Sequence, residues 1–347
     1  MKYNYDWTLK DAVFTKDKGK VFSCFACGGG STMGYKLSGF DVIGMNEIDP
    51  RMAECYIENH NPKYSFIEPI QDFKNREDIP DELYNLDILD GSPPCSSFSM
   101  AGNRDKDWGK EKKFREGQSE QILDTLFFDF IDLAEKLQPK VVIAENVKGL
   151  LQGDAKAYVQ KILLSFDKAG YFVDYKLLDA SAMGVPQKRE RVFFYAIRKD
   201  LYKGIFSDLF GTLPVLHLEF NQKEILYSEI KTGVGRKQTE LYYSRWRKRI
   251  DTDTSFSDIC EREEGKSKCF SDVFAKPNRV MPTITGKGGI TDFETGFYIN
   301  DESFLNSGTF PKDYNFKNNK IPYIIGMSVP PIMTAQIADR IYEQWLK

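Results

Sequence analysis

The sequence predicts an α/β fold, a mainly parallel sheet covered by helices, followed by a second, smaller and irregular domain. Three observations predict it. Short apolar runs alternate with longer amphipathic ones over the first two-thirds of the chain, the pattern of strands joined by helices. That alternation stops after Arg198. Glycines, prolines and acids gather at the ends of the apolar runs, where open α/β sheets hold their ligands.

The runs 21–26, 41–48, 86–89, 141–144 and 192–197 read as strands, the fourth entered from Pro139 and the fifth rich in β-formers. Helical patterns at 33–37, 51–59, 119–137 and 155–169 lie between them. In the third of these, Ile122, Leu126, Phe130, Leu133 and Leu137 keep a 3-4 spacing that makes one helix face. Residues 199–320 carry mixed charge, many Lys, Phe and Tyr residues, and glycine turns at 233–235 and 286–289. The helical pattern returns at 337–345, with Ile337, Ile341 and Trp345 spaced by four. The expected division is therefore 1–198 with 321–347 as one domain and 199–320 as the other.

Composition bounds the class. The chain has 347 residues, 41% apolar and 29% charged, enough to bury a sizeable core. Lys and Arg number 48 against 51 Asp and Glu, which excludes a globally basic nucleic-acid coat but not a local basic patch. No apolar run approaches the roughly 20 residues of a membrane span, and the first residues lack the apolar stretch of a signal peptide, so a cytoplasmic protein without a membrane partner is expected. Six cysteines in a chain of this length read as reduced thiols. With two histidines, His60 and His217, and a single Cys-x-x-Cys at Cys24 and Cys27, no metal site is expected.

Four motifs can carry chemistry. The first is the run 21–30, a strand leading into Gly28-Gly29-Gly30 and a helix; glycines there let a ligand approach the backbone beside a helix N-terminus. About twenty residues on, Glu47 ends the next strand, where nucleotide-type sheets place an acid on a ribose hydroxyl pair. A plain glycine turn with a surface acid fits the same residues. The second is Asp90-Gly91-Ser92-Pro93-Pro94-Cys95-Ser96, in which two prolines stiffen the backbone before a cysteine set among small polar residues. That setting suits a reactive nucleophile better than an inert core thiol. The third is Ala144-Glu145-Asn146-Val147, a carboxyl group at a strand's carboxyl end that can hold or donate a proton, or simply cap the next helix. The fourth is Gln187-Lys188-Arg189-Glu190-Arg191, whose period of two puts Gln187, Arg189 and Arg191 on one face, for phosphate, a planar carbonyl or only solvent.

In this order and at these separations, the motifs resemble the cytosine-C5 DNA methyltransferase family. The carriers are the loop at 25–30, Pro94-Cys95, Glu145-Asn146-Val147 and Gln187-x-Arg189-x-Arg191. Arg279-Val280-Met281-Pro282-Thr283-Ile284-Thr285 and Gly326-Met327-Ser328-Val329-Pro330-Pro331 look like two late motifs. The resemblance runs from about residue 20 to the C-terminus and leaves about 199–275 unmatched, where the family places its variable target-recognition region. The sequence departs from the family at several positions. The family's acid at the start of the first loop is Ser23 here, a glycine is Cys27, a Trp after the ribose-binding acid is Ile48, and an Asn is Met327. The usual Arg-x-Leu-Thr-x-x-Glu stretch before Phe310-Pro311 is replaced by residues 298–303.

The resemblance implies a Rossmann-like S-adenosylmethionine-dependent methyltransferase sheet with a target-recognition domain. It implies Cys95 as nucleophile, Glu145 as the acid near N3 of cytosine, Arg191 as donor at O2, Arg189 in support of Cys95 or O2, and Asn146 holding the Pro94-Cys95 turn. S-adenosylmethionine would lie over Phe25, Cys27, Gly28 and Gly30, with Glu47 on the ribose, Ile48 beside it and Asp72 at the adenine amine. Pro94, Leu126 and Val329 would be its apolar surroundings. The partner would be double-stranded DNA with the target base flipped out, met by Ser96 and the polar stretch 96–118. Residues 223–249 hold eight basic residues against three acidic, and Arg245, Arg247, Lys248 and Arg249 are the expected DNA contacts. A monomer in a bacterial or phage-encoded restriction-modification setting, with or without a cognate endonuclease, completes the expectation. Two other readings stand beside it. One is a catalytically silent nucleic-acid-binding module, favoured by the departures at Ser23 and Met327. The other is a tRNA cytosine-C5 methyltransferase, whose Cys-Phe-Thr signature has its nearest string at Cys269-Phe270-Ser271.

Overall fold

The structure is a computed structural model. It describes residues 2–94, 125–152, 155–202, 216–287 and 289–347, with the backbone of 111–112 and 121–122. The chain divides into two compact units, Val13–Leu178 with Glu190–Glu219 and Thr334–Lys347, and Met1–Ala12 with Asp179–Arg189 and Phe220–Met333.

The first unit is built on seven strands: β1 (Lys20–Cys24), β2 (Asp41–Asn46), β3 (Tyr64–Phe66), β4 (Ile88–Gly91), β7 (Val141–Val147), β8 (Tyr171–Asp179) and β9 (Glu190–Arg198). Their order is β3-β2-β1-β4-β7-β9-β8. The pairs from β3 to β7 are parallel, and β9 runs antiparallel to β7. The inner strands are apolar and almost wholly buried, as strands covered on both faces must be. Helices α1 (Gly30–Ser38), α2 (Pro50–His60), α3 (Ile70–Asn75), α4 (Leu126–Leu137) and α5 (Ala155–Lys168) join them. The Asp49-Pro50 step starts α2: Asp49 accepts the amide of Arg51, and Pro50 takes the first turn, where its missing N–H costs nothing. Leu126, Phe130, Leu133 and Leu137 of α4 are buried, four of the five residues of the face that the spacing predicts, while Ile122 falls before the helix.

Two strands of this seven-stranded sheet were not expected from the sequence, β3 and β8, and both are sheet edges. Edge strands are half exposed, so β8 mixes Asp174 and Lys176 into its apolar residues and loses the buried-run pattern. The helix expected over 119–137 is shorter. Gln121–Ile122 is a strand, β6, paired antiparallel with β5 (Glu111–Lys112), and α4 begins at Leu126.

The second unit contains α6 (Tyr227–Ile230), α7 (Glu240–Trp246), α8 (Phe256–Glu264), α9 (Asp301–Gly308), α10 (Ile321–Met327) and a parallel pair, β10 (Val273–Ala275) with β11 (Ile290–Asp292). Trp246, Phe256, Ile259 and Phe274 form a local core. Burial alone would raise the carboxyl of Asp292. Hydrogen bonds from Lys231, the Thr295 amide and Tyr227 outweigh it and hold the group below the usual range. At the C-terminus, the helix expected over 337–345 is α11 (Pro331–Ile341) followed by a wider turn over Tyr342–Leu346. Contrary to the expectation of no such run, Ile321–Leu346 is long and apolar enough to cross a membrane, but its apolar stretch is mostly buried in the fold, as in a core helix.

Candidate active site

β1 leaves the sheet at Cys24 and turns into α1 through residues in the left-handed region: Phe25 at φ 53°, Cys27 at 47° and Gly29 at 76°. A Cβ on Gly29 would clash with His60 Nε2, so glycine is required there on two counts. No side chain caps α1 and no acid occupies its first turn, which leaves its leading amides for a ligand. Gly28 and Gly30 are buried, while Phe25 and Cys27 are half-buried.

Glu47, 7% exposed, reaches from the end of β2 into this loop. Its Oε2 accepts the Cys27 amide at 2.7 Å and its Oε1 the Asp49 amide at 2.8 Å. Burial raises its carboxyl, and the amides of Asp49 and Cys27 oppose the rise. The Ile48 amide is a third backbone donor to this carboxylate, which leaves one of its roughly four lone-pair sites for a ribose hydroxyl. The backbone cradle and this carboxylate therefore fit S-adenosylmethionine. Ile48 is half-buried beside Glu47, and Asp72 is exposed in the first turn of α3. Leu126 lies wholly inside the main core. Val329 belongs to the second unit and is 5% exposed.

β4 lies beside β1, with Ser23 directly opposite Asp90. Asp90 is buried and accepts three hydroxyls: Ser23 Oγ at 2.9 Å, Ser31 Oγ at 2.7 Å and Tyr35 OH at 3.1 Å. The sequence motif contained Asp90 without singling it out; the signal was the missing acid at Ser23. Gly91 follows, and a Cβ there would stand 2.5 Å from the Phe130 ring. Pro93 and the half-buried Pro94 then lead toward Cys95; Cys95 and Ser96 lie outside the described residues, as does most of 96–118.

β7 sits between β4 and β9, and its adjacent residues Asn146 and Glu145 bond toward opposite neighbours. Asn146 Nδ2, buried, donates to the Pro93 carbonyl at 3.1 Å, and its Oδ1 accepts the Val147 amide at 2.8 Å. Glu145 Oε1 meets Arg191 Nε at 2.9 Å, with side chains only 13% and 16% exposed. Arg191 also donates to the Glu190 carbonyl.

The shared face expected for Gln187, Arg189 and Arg191 does not hold. β9 begins only at Glu190, and Arg189 belongs to the second unit. Its guanidinium, 2% exposed, donates to the carbonyls of Ile284 at 3.1 Å, Gly326 at 3.0 Å and Ser328 at 2.9 Å. Two of these end α10, where carbonyls lack helical partners and a cation is favoured. Gln187 is likewise buried, taking the Ile284 amide and donating to Ser307.

The basic run 245–249, at and beyond the end of α7, is partly neutralised. Arg245 pairs with Glu264 at 2.9 Å and Lys248 with Glu263 at 3.1 Å, acids of α8 beyond the window counted from the sequence. Arg247 is exposed and stands over the Tyr243 ring. Arg249 stacks 3.9 Å from the Trp246 ring centroid and lines an open cavity of about 490 Å³ with Lys276, Arg279 and Phe293.

The family model of the C-5 cytosine-specific DNA methylases matches residues 19–343. The Type II methyltransferase M.FnuDI of Fusobacterium nucleatum is 36% identical over 261 residues, 75% of this chain and 67% of that protein. M.NgoPII of Neisseria gonorrhoeae, also named a Type II methyltransferase, is 38% identical over 184 residues, 52% of this chain and 49% of its own length. The chain thus matches two-thirds of one relative and about half of the other. In fold, it is similar to the crystal structure of a candidate DNA modification methyltransferase encoded within an E. coli prophage. The TM-score is 0.64 at 20% identity, over 94% of this chain and 99% of that one.

Proposed function

The chain belongs to the C-5 cytosine-specific DNA methylase family, and from that premise we propose that it transfers a methyl group from S-adenosylmethionine to C5 of a flipped-out cytosine in double-stranded DNA, through a covalent cysteine adduct. The observation that supports this reading best is at the end of β7. Glu145 is paired with Arg191 at 2.9 Å, and the next residue, Asn146, ties down the backbone one step before Pro94-Cys95.

Cytosine C5 is a poor nucleophile until C6 is attacked. The Cys95 thiolate adds to C6 while Glu145 gives a proton or hydrogen bond to N3, so electron density gathers at C5. Arg191 orients the Glu145 carboxyl and in this reading donates to O2. Once C5 carries the methyl group, a base removes the C5 proton, the C5–C6 double bond re-forms and the thiolate leaves. S-adenosylmethionine, when bound, supplies the methyl group from a sulfonium. The loop from Phe25 to Gly30 and Glu47 would hold it, with Ile48, Asp72, Pro94 and Leu126 as its further surroundings. Arg189 acts at one remove, by fixing the backbone around Ile284 and Ser328.

Sequence choice falls to residues 199–320, in particular 199–275. Arg247 and Arg249 carry the phosphate attraction more than Arg245 and Lys248, which α8 already neutralises. The name Type II methyltransferase carried by the relatives supports a restriction-modification setting; in this reading the chain works in the cytoplasm of a bacterium or phage host, where methylation would shield a site from a cognate endonuclease.

The test is covalent trapping. DNA carrying 5-fluorocytosine should trap the protein, because fluorine cannot leave as a proton does, and Cys95→Ser should abolish both trapping and transfer while keeping donor binding. Full activity of Cys95→Ser overturns the mechanism.

A further inference from the structure

The family that the chain resembles carries an acid at the start of the first loop, and this chain has Ser23 there. The strand register places Asp90 of β4 directly across from Ser23 of β1. One Asp90 oxygen takes the hydroxyls of Ser23 and Ser31 at 2.9 and 2.7 Å, and the other takes Tyr35 at 3.1 Å. Ser23 stands two residues before the loop at 25–30, and Ser31 directly after it. We propose that Asp90 is the positioning acid of the donor site, moved across the strand pair from its place in the family, and that it clamps both ends of the donor loop to β4, the strand that leads toward Pro94. The proposal rests on the S-adenosylmethionine reading above.

Hydrogen bonding alone does not call for an acid here. An asparagine of the same shape would accept both serine hydroxyls on its oxygen and donate its amide to the Tyr35 oxygen. The charge is a burden to the fold. Burial pushes the Asp90 carboxyl up to about 6, the three hydroxyls pull it down, and Glu145 on the far side of β4 raises it. Among the described residues, the other groups that sense the charge are Cys24, Tyr35 and Tyr56, all buried, and burial holds each in its neutral form. A buried negative charge with no cation among these neighbours is accounted for by a cationic ligand, and the donor's sulfonium is one.

The experiment titrates S-adenosylmethionine into the full chain by calorimetry and records the urea midpoint of each variant. Wild type should bind. Asp90→Asn should bind about tenfold more weakly, the loss of one charged partner, with a midpoint that is not lowered. Ser23→Asp combined with Asp90→Ser, which returns the acid to β1, should recover affinity to within about threefold. Asp90→Asn with unchanged affinity overturns the proposal, and so does a joint loss of affinity and midpoint, the mark of a merely structural residue. If Asp90→Asn does not fold, the double variant decides: recovered binding supports the relocation, and a double variant that is unfolded or fails to bind overturns it. A wild-type chain that does not bind S-adenosylmethionine defeats the donor reading itself.

Discussion

Replacing Arg189 separates a structural arginine from a catalytic one. The guanidinium is 2% exposed and its two terminal nitrogens serve the carbonyls of Ile284, Gly326 and Ser328 at 2.9–3.1 Å. Alanine leaves three carbonyls without that donor. A hydrogen bond to a charged group contributes about 1.5–3 kcal/mol, but water entry and relaxation recover part of three such losses. The expected cost of Arg189→Ala is therefore about 3–5 kcal/mol, the range for breaking a buried charged network. Arg189→Lys keeps the charge but gathers three donors on one nitrogen, which cannot span carbonyls on separate segments as a planar fork does, and should cost about 1–3 kcal/mol. Urea unfolding followed by tryptophan fluorescence reads this, because buried Trp246 lies in the same compact unit. A loss below about 0.5 kcal/mol for Arg189→Ala would refute the clamp. Arg189→Lys with native stability but no turnover would return the guanidinium to the reacting base.

Three further outcomes are expected. Glu47→Ala should weaken S-adenosylmethionine binding by about 1–3 kcal/mol; an unchanged dissociation constant would mean the loop binds something else. Arg247→Ala should flatten the salt dependence of DNA binding by about 1 in log-log slope, and Lys248→Ala by clearly less, because Glu263 already holds Lys248 at 3.1 Å; equal slopes would remove the distinction. Asp90 sets a pH dependence: its folded carboxyl, at about 6, lies above the unfolded value near 4, so the folded state favours the neutral form. Stability should therefore fall as pH rises from about 4 to about 6 and stay lower above, by about 3 kcal/mol at 1.36 kcal/mol per pKa unit, and Asp90→Asn should abolish that decline in melts taken from pH 4 to 8.

The centre of the sheet was legible because its strands are buried on both faces. Residues 141–144 and 192–197 read as strands from apolar content alone, and the structure extends them to Val141–Val147 and Glu190–Arg198. The edges β3 and β8 were not legible, since half-exposed strands lack that signature. The same limit governs the site. Glu145 and Arg191 were quoted from two motifs 46 positions apart, and only the antiparallel pairing of β7 and β9 makes them partners. The bonds of Arg189 were not legible because its partners are backbone carbonyls, which no residue letter marks. Asp90 was passed over because its three partners lie on another strand and helix. The charge count over 223–249 stopped short of Glu263 and Glu264, the acids that neutralise half of its final basic run.

The central claim is methylation of cytosine at C5 in DNA, and bisulfite sequencing of DNA from cells that express the chain tests it most directly. The account predicts cytosines that resist conversion at one short recurring sequence, with the protection lost in cells that express Cys95→Ala. Complete conversion in cells holding the folded wild-type protein, or protection that survives Cys95→Ala, would contradict it.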